Sequence, residues 1–216
     1  MVEPLAVAWH AVEASSIQKG EDAVVMGAGP IGLGVIQCLK AKGANQVIVV
    51  EVAKERQNFA THFGATTIID PRHEDVVKKC KELTGGPGPQ VALDCAGVPS
   101  SVKTACQAVR ANGRIVNVAI WEKEVPFNPN NVVFGEKRYS GGEFSSHLQH
   151  AQLISSVLGY LQKDYRGVID ALDRGALKPE KMITGKIAID RVVEDGFNPL
   201  INEKEKHVKI LVDLSK

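Results

Sequence analysis

The segment VVMGAGPIGLG carries the first sign of chemistry in this chain. It sets Gly27-x-Gly29-x-x-Gly32 directly after a short apolar run and at the opening of a helical pattern. Gly27 allows a tight turn, Gly29 lets the main chain approach a pyrophosphate, and Gly32 lets helix and strand pack closely. The N–H groups and the dipole at the start of that helix, beginning with Pro30 and Ile31, then favour an anion. Glycine-rich turns are common, so the motif gains force only from its context. Glu51 supplies that context: it closes the apolar stretch QVIVVE, 24 residues after Gly27. An acid there can accept hydrogen bonds from both hydroxyls of a ribose, whereas a 2′-phosphate would meet it as a like charge. Val52 and Ala53 place no base beside it, so the pair predicts NAD rather than NADP. The plainer reading is a tight turn and a solvated glutamate. Lys54 and Arg56 follow and could flank the ribose or adenine, with a solvated helix position as the alternative for Arg56.

Such a turn must sit between a strand and a helix, and the surrounding pattern provides them. Residues 23–26, 46–51, 66–70, 90–96 and 114–120 are short apolar runs of the kind that suit strands covered on both faces. Between them, Ile31, Val35, Cys38 and Leu39 recur at helical spacing. Val76, Val77, Cys80 and Leu83 do the same, as do Val102, Ala105, Cys106 and Val109. This alternation predicts an α/β fold with a doubly wound parallel sheet. The rhythm breaks after residue 120 in a stretch rich in Pro, Asn and Gly. It resumes with a helix over 165–172, a strand over 183–189, a helix over 192–201 and a strand over 207–212.

Composition excludes several functions. Of the 216 residues, 44% are hydrophobic and 24% charged, with a net charge of +1 and both signs interspersed. No basic patch points to nucleic acid or an anionic membrane, and no apolar run approaches the ~20 residues that span a bilayer. Glu3 stands where an export signal would carry positive charge. Cys38, Cys80, Cys95 and Cys106 form no CxxC pair and read as reduced, buried residues of a cytoplasmic protein.

Longer segments carry a resemblance. EPLAVAWHA followed by GAGPIGL, then NVAIWEKEVPFNPN, then the ending MITGKIAIDRVVEDGFNPLINEKEKHVKILVD, resemble the zinc-dependent medium-chain dehydrogenases. They are most similar to the butanediol dehydrogenase branch, near the sorbitol dehydrogenases, over residues 2–141 and 157–214. The resemblance implies a Rossmann domain preceded by a zinc-bearing catalytic domain, with a C-terminal tail folded back onto the latter. It implies hydride transfer between a small alcohol or ketone and NAD, with zinc polarising the alcohol oxygen. Carried over, Gly27, Gly29, Pro30, Ile31 and Gly32 match the pyrophosphate turn, Glu51 the ribose acid and Arg56 a base near the adenosine. Cys95 and Ala96 match the loop beside the cofactor, and Asn117 and Ala119 the strand end near the nicotinamide. Plain sheet packing is the alternative for these last four.

The chain departs from that pattern by starting almost at the Rossmann domain. The resemblance divides it into residues 1–15, a remnant of the catalytic domain; 16–160, the NAD-binding unit; and 161–216, the tail. Glu3 matches a glutamate at the catalytic zinc, but the other ligands the resemblance implies belong to a segment before Met1. A catalytic zinc needs three protein ligands and an open position. Glu3 is therefore expected as an exposed acid, His10 as a packing residue, and the isolated chain as inactive. A fragment of an alcohol or diol dehydrogenase and a stand-alone NAD-binding module both remain open, as does homo-oligomerisation. Finally, the similarity stops at Gly141 and resumes at Val157. The 15 residues between, GEFSSHLQHAQLISS, read as an insertion, whose Gly-Glu-Phe start can be encoded with a splice-donor pattern.

Overall fold

A computed structural model describes residues 1–121, 124–141 and 160–215; the expected insertion at 142–156 lies outside the described residues. The chain opens with helix α1 (Val2–Ala14) and then alternates β1 (Ala23–Met26), α2 (Pro30–Ala41), β2 (Val47–Val50), α3 (Lys54–His62), β3 (Thr67–Ile69), α4 (Val76–Leu83), β4 (Val91–Asp94), α5 (Pro99–Ala108) and β5 (Arg114–Asn117). A short helix α6 (Asn130–Val133), strand β6 (Arg138–Gly141) and helix α7 (Gln162–Asp173) follow. The first six strands form one parallel sheet in the order β3-β2-β1-β4-β5-β6. The order reverses between β1 and β4, and that reversal opens a crevice at the carboxyl ends of the strands, where α/β sheets bind ligands.

The apolar runs become central strands because both faces are covered. Along β1, β2 and β4 every residue is buried. Val25, Val49 and Leu93 face a layer that includes α1, α2 and α7. Val24, Ile48 and Ala92 face the layer of α4 and α5. Truncating a fully buried side chain such as Leu33, Ile36 or Leu93 to alanine costs about 2–5 kcal/mol. Helix α1 contributes Leu5, Ala8, Trp9 and Val12 to the same core as the sheet. It lies so close to α2 that a Cβ on Gly34 would come 2.9 Å from that of Ala8. His10 is buried, as expected of a packing residue, but it is also a polar tie: its Nδ1 lies 2.9 Å from Asp164 Oδ2 on α7. Asp164 in turn accepts from Leu161 N–H at 2.6 Å.

Two regions differ from the sequence reading. Strand β6 forms where the composition breaks the rhythm; it is only half-buried, so it lacks the continuous apolar signature of the central strands. In the tail, β7 (Ile183–Ala188) and β8 (Lys209–Asp213) pair with each other in a parallel two-stranded sheet. The helix expected between them is broken. A 3₁₀ turn (Ile189–Arg191) leads into a π-helical stretch (Val192–Phe197), and helix α8 (Asn198–Asn202) follows. Gly196 and Pro199 weaken a regular α-helix there, the proline by lacking an N–H. The tail is tied to the core through buried Gln37 of α2, whose Oε1 accepts from Lys178 N–H at 2.9 Å and whose Nε2 donates to Met182 Sδ at 3.3 Å.

Candidate functional site

The crevice at the switch point is a cleft of about 380 Å³, lined among others by Gly27, Gly29, Glu51, Arg56, Cys95 and Ala96. Its floor is the glycine turn, and each glycine there has a separate steric reason. Gly27 has φ +89°, and a Cβ on it would press against Ala96 at 3.1 Å. A Cβ on Gly32 would sit 2.1 Å from the carbonyl oxygen of Gly27, which no side chain can do. Gly29 differs: it caps α2 with an ordinary extended backbone, and a Cβ there would meet nothing within 4 Å. Nothing among the described residues therefore requires Gly29 to be glycine. Pro30 occupies the first helical position, where its missing N–H costs nothing. The N–H groups of Ile31 and Gly32, in the first turn, have no intrahelical acceptor, the arrangement that makes a helix start favourable to an anion.

Glu51 follows β2 immediately and is only 6% exposed. Its Oε2 accepts from Ala28 N–H at 2.8 Å, and its Oε1 from the N–H groups of Val52 and Ala53, both at 2.9 Å. Three backbone donors thus fix a carboxylate on the cleft wall beside the phosphate turn. Arg56 lines the same wall, but its Nη2 donates to the carbonyl of Lys204 in the tail at 3.0 Å, a tie with no local sequence signal.

The cleft lining also includes Cys95, Ala96 and Ser101, and the segment that carries them is anchored from behind by Asp94, a residue the sequence reading did not single out. Asp94 is fully buried at the end of β4. Its Oδ1 accepts from the N–H groups of Ala96 at 3.0 Å and Gly97 at 3.3 Å, and its Oδ2 from Ser101 Oγ at 3.0 Å. This holds the loop carrying Cys95 and Ala96 onto the start of α5. Burial raises the Asp94 carboxyl above its ordinary value, opposed by the hydrogen bonds of Ser101, Ala96 and Gly97. The signal was available, in an acid ending an apolar strand with a serine seven residues on. Burial also raises the Cys95 thiol, with Asp94 adding to the effect. Asn117 and Ala119 stand at the carboxyl end of β5, outside the cleft wall proper. Asn117 Nδ2 donates to Ala119 O at 3.0 Å and its Oδ1 accepts from Trp121 Nε1 at 2.8 Å. Ala119 abuts Gly97, where a Cβ would approach it to 2.9 Å.

Glu3 lies apart from this cleft, exposed on the first turn of α1 and close to Tyr160, whose hydroxyl is pushed up to about 12, first by its hydrogen bond with Tyr165. Among the described residues no group of three or more His, Cys, Asp or Glu could hold a metal ion. The described residues therefore offer no set that fits a catalytic zinc.

Residues 30–174 match the sequence profile described as zinc-binding dehydrogenase. The chain belongs to that family. Its relatives include the (R,R)-butanediol dehydrogenase of Bacillus subtilis (strain 168), 38% identical over 212 residues, covering 98% of this chain and 56% of the relative. The crystal structure of 2R,3R-butanediol dehydrogenase from Bacillus subtilis superposes with a TM-score of 0.85 at 38% identity, over 98% of this chain and 56% of that one. A putative zinc-binding dehydrogenase from Sinorhizobium meliloti 1021, bound to NADP, gives 0.81 at 27% identity, over 98% of this chain and 57% of that one. The chain thus spans about half the length of the relatives it matches. The parallel sheet and the family agree with the sequence reading, and no helix among the described residues is long and apolar enough to cross a membrane.

Proposed function

We propose that this chain is the cofactor-binding half of an NAD-dependent dehydrogenase acting on a secondary alcohol or diol of the 2,3-butanediol kind. The observation that carries the proposal is the pairing of Glu51, pinned by three backbone N–H groups, with Gly29, whose missing side chain leaves open space above the helix N-terminus. Bound NAD would supply the hydride acceptor. The chain's own residues bind and orient it: the first turn of α2 takes the pyrophosphate, Glu51 takes the ribose hydroxyls, and the loop fixed by Asp94 flanks the opposite side. The name of the Bacillus relative, at 38% identity, supports the diol assignment.

Residues 16–160 form the cofactor unit in this reading, while 1–15 and 161–216 are the parts that would meet a catalytic domain. Ile189, Val193, Phe197 and Ile201 are all more than half exposed on the tail, an apolar face suited to such a cover. Glu3 would join a zinc site only there. A cytoplasmic location is in keeping with four free cysteines, and homo-oligomerisation with β6 standing at the sheet edge among the described residues, a few positions after the exposed Phe134. Calorimetric titration tests the cofactor. NADH should bind more tightly than NADPH, and Glu51→Ala should weaken NADH and narrow the difference. NADPH binding more tightly than NADH would overturn the choice of cofactor.

A further inference from the structure

Arg72 belongs to no motif, yet the structure ties it to Glu51. Asp70, just past β3, takes the guanidinium side-on: Nε donates to Oδ1 at 2.9 Å and Nη2 to Oδ2 at 2.6 Å. Nη2 also donates to the carbonyl of Val52 at 2.7 Å. That carbonyl and the N–H of Ala53 belong to one planar trans peptide, so holding the oxygen on one side points the N–H to the other. The Ala53 N–H donates to Glu51 Oε1, while Ala28 of the phosphate turn holds Oε2. An unbroken hydrogen-bonded path therefore runs from Asp70 through Arg72 and the 52–53 peptide to the carboxylate on the cleft wall. A charged donor on the carbonyl polarises the peptide and strengthens the donor on its far side.

We propose that Arg72, held by Asp70, is a positioning residue for Glu51, fixing the carboxylate in the orientation that accepts a ribose 2′,3′-diol. Arg72 touches neither pyrophosphate nor ribose in this scheme; it acts through the peptide. The inference rests on the reading of the cleft as an adenosine site. It predicts a loss that is larger for ligands carrying the 2′-hydroxyl as well as the 3′-hydroxyl, which a general weakening of the fold would not produce.

The test is calorimetric titration of the full chain with 5′-AMP and 2′-deoxy-5′-AMP. Wild type should prefer 5′-AMP by about tenfold, the scale of one hydrogen bond to a charged group. Arg72→Met should weaken 5′-AMP by about five- to tenfold and the deoxynucleotide, which keeps only the 3′-hydroxyl, by no more than about twofold. Arg72→Lys, which keeps a single donor for Val52, should recover part of the loss. In a Glu51→Ala background, Arg72→Met should add nothing. Should Arg72→Met fold poorly, Asp70→Asn loosens the guanidinium without removing it and carries the same readout, with a smaller loss of preference expected. A variant that keeps the wild-type preference, loses both nucleotides equally, or weakens 5′-AMP as much without Glu51 overturns the proposal. Wild type binding neither nucleotide removes the cofactor reading and this inference together, whereas preserved wild-type preference with an unaffected Arg72→Met removes only the inference.

Discussion

Gly29→Ala and Gly32→Ala place the same methyl group three residues apart and should have opposite consequences. At Gly32 the new Cβ would stand 2.1 Å from the Gly27 carbonyl oxygen, about 1 Å inside any tolerable contact, so the turn must move. Overpacking of this kind costs about 1–3 kcal/mol, or roughly 2–10 °C in Tm for a chain of this size. At Gly29 the backbone lies at φ −70°, ψ −177°, and a Cβ meets nothing within 4 Å. Alanine there restricts the unfolded chain, which stabilises by about 0.4–1 kcal/mol, but is a poorer helix N-cap by a similar amount. The two effects offset, and Tm should move by less than about 3 °C. Binding should reverse the ranking. The methyl group occupies the space through which a pyrophosphate reaches the first-turn N–H groups. Loss of one charge-assisted hydrogen bond, about 1.5–3 kcal/mol, weakens NADH by roughly 10- to 100-fold. Differential scanning fluorimetry with NADH titration reads both quantities. Gly29→Ala protein that binds NADH within twofold of wild type would refute the assignment of the pyrophosphate to this turn.

Asp94 gives a pH dependence whose sign is fixed by its raised pKa. The folded carboxyl holds its proton more tightly than the unfolded one, whose ordinary value is 3.8. The stability it contributes is full below that value and is lost as pH rises through the raised one. Asp94→Asn keeps an acceptor for Ala96 and Gly97, so it should flatten the dependence of Tm on pH above the ordinary carboxyl value of 3.8; curves parallel to wild type would count against this. Burial pushes Cys38 and Cys80 up to about 12 and Cys106 up to about 11, and raises Cys95 as well, so Ellman's reagent at about pH 8 should label the native chain far more slowly than the denatured one. Rapid labelling of Cys38 or Cys80 in the native chain would contradict this. Amides of β7 and β8, in a two-stranded sheet with both outer edges bare among the described residues, should exchange with deuterium faster than those of β1 and β4; equal protection would show that the tail is as stable as the main sheet and contradict this.

The sequence by itself determined the central strands, the glycine turn and the acid that follows β2. These are local matters: both-face burial leaves continuous apolar runs, a forbidden Cβ leaves a glycine, and the acid has to end its strand. It also carried the family, because the segments that resemble it are long and specific. The tertiary structure decided what depends on residues distant in the chain. Strand β6 is half-exposed and leaves no apolar run, and β7 and β8 find each other only once the turns between them have closed. His10 finds Asp164 across 154 positions, and Arg56 reaches Lys204 across 148. Arg72 meets the Val52 carbonyl because parallel pairing of β2 and β3 brings their carboxyl ends side by side. Periodicity reports which face of an element is buried. The partner of a buried polar group is set by packing between elements, and no spacing along the chain encodes it.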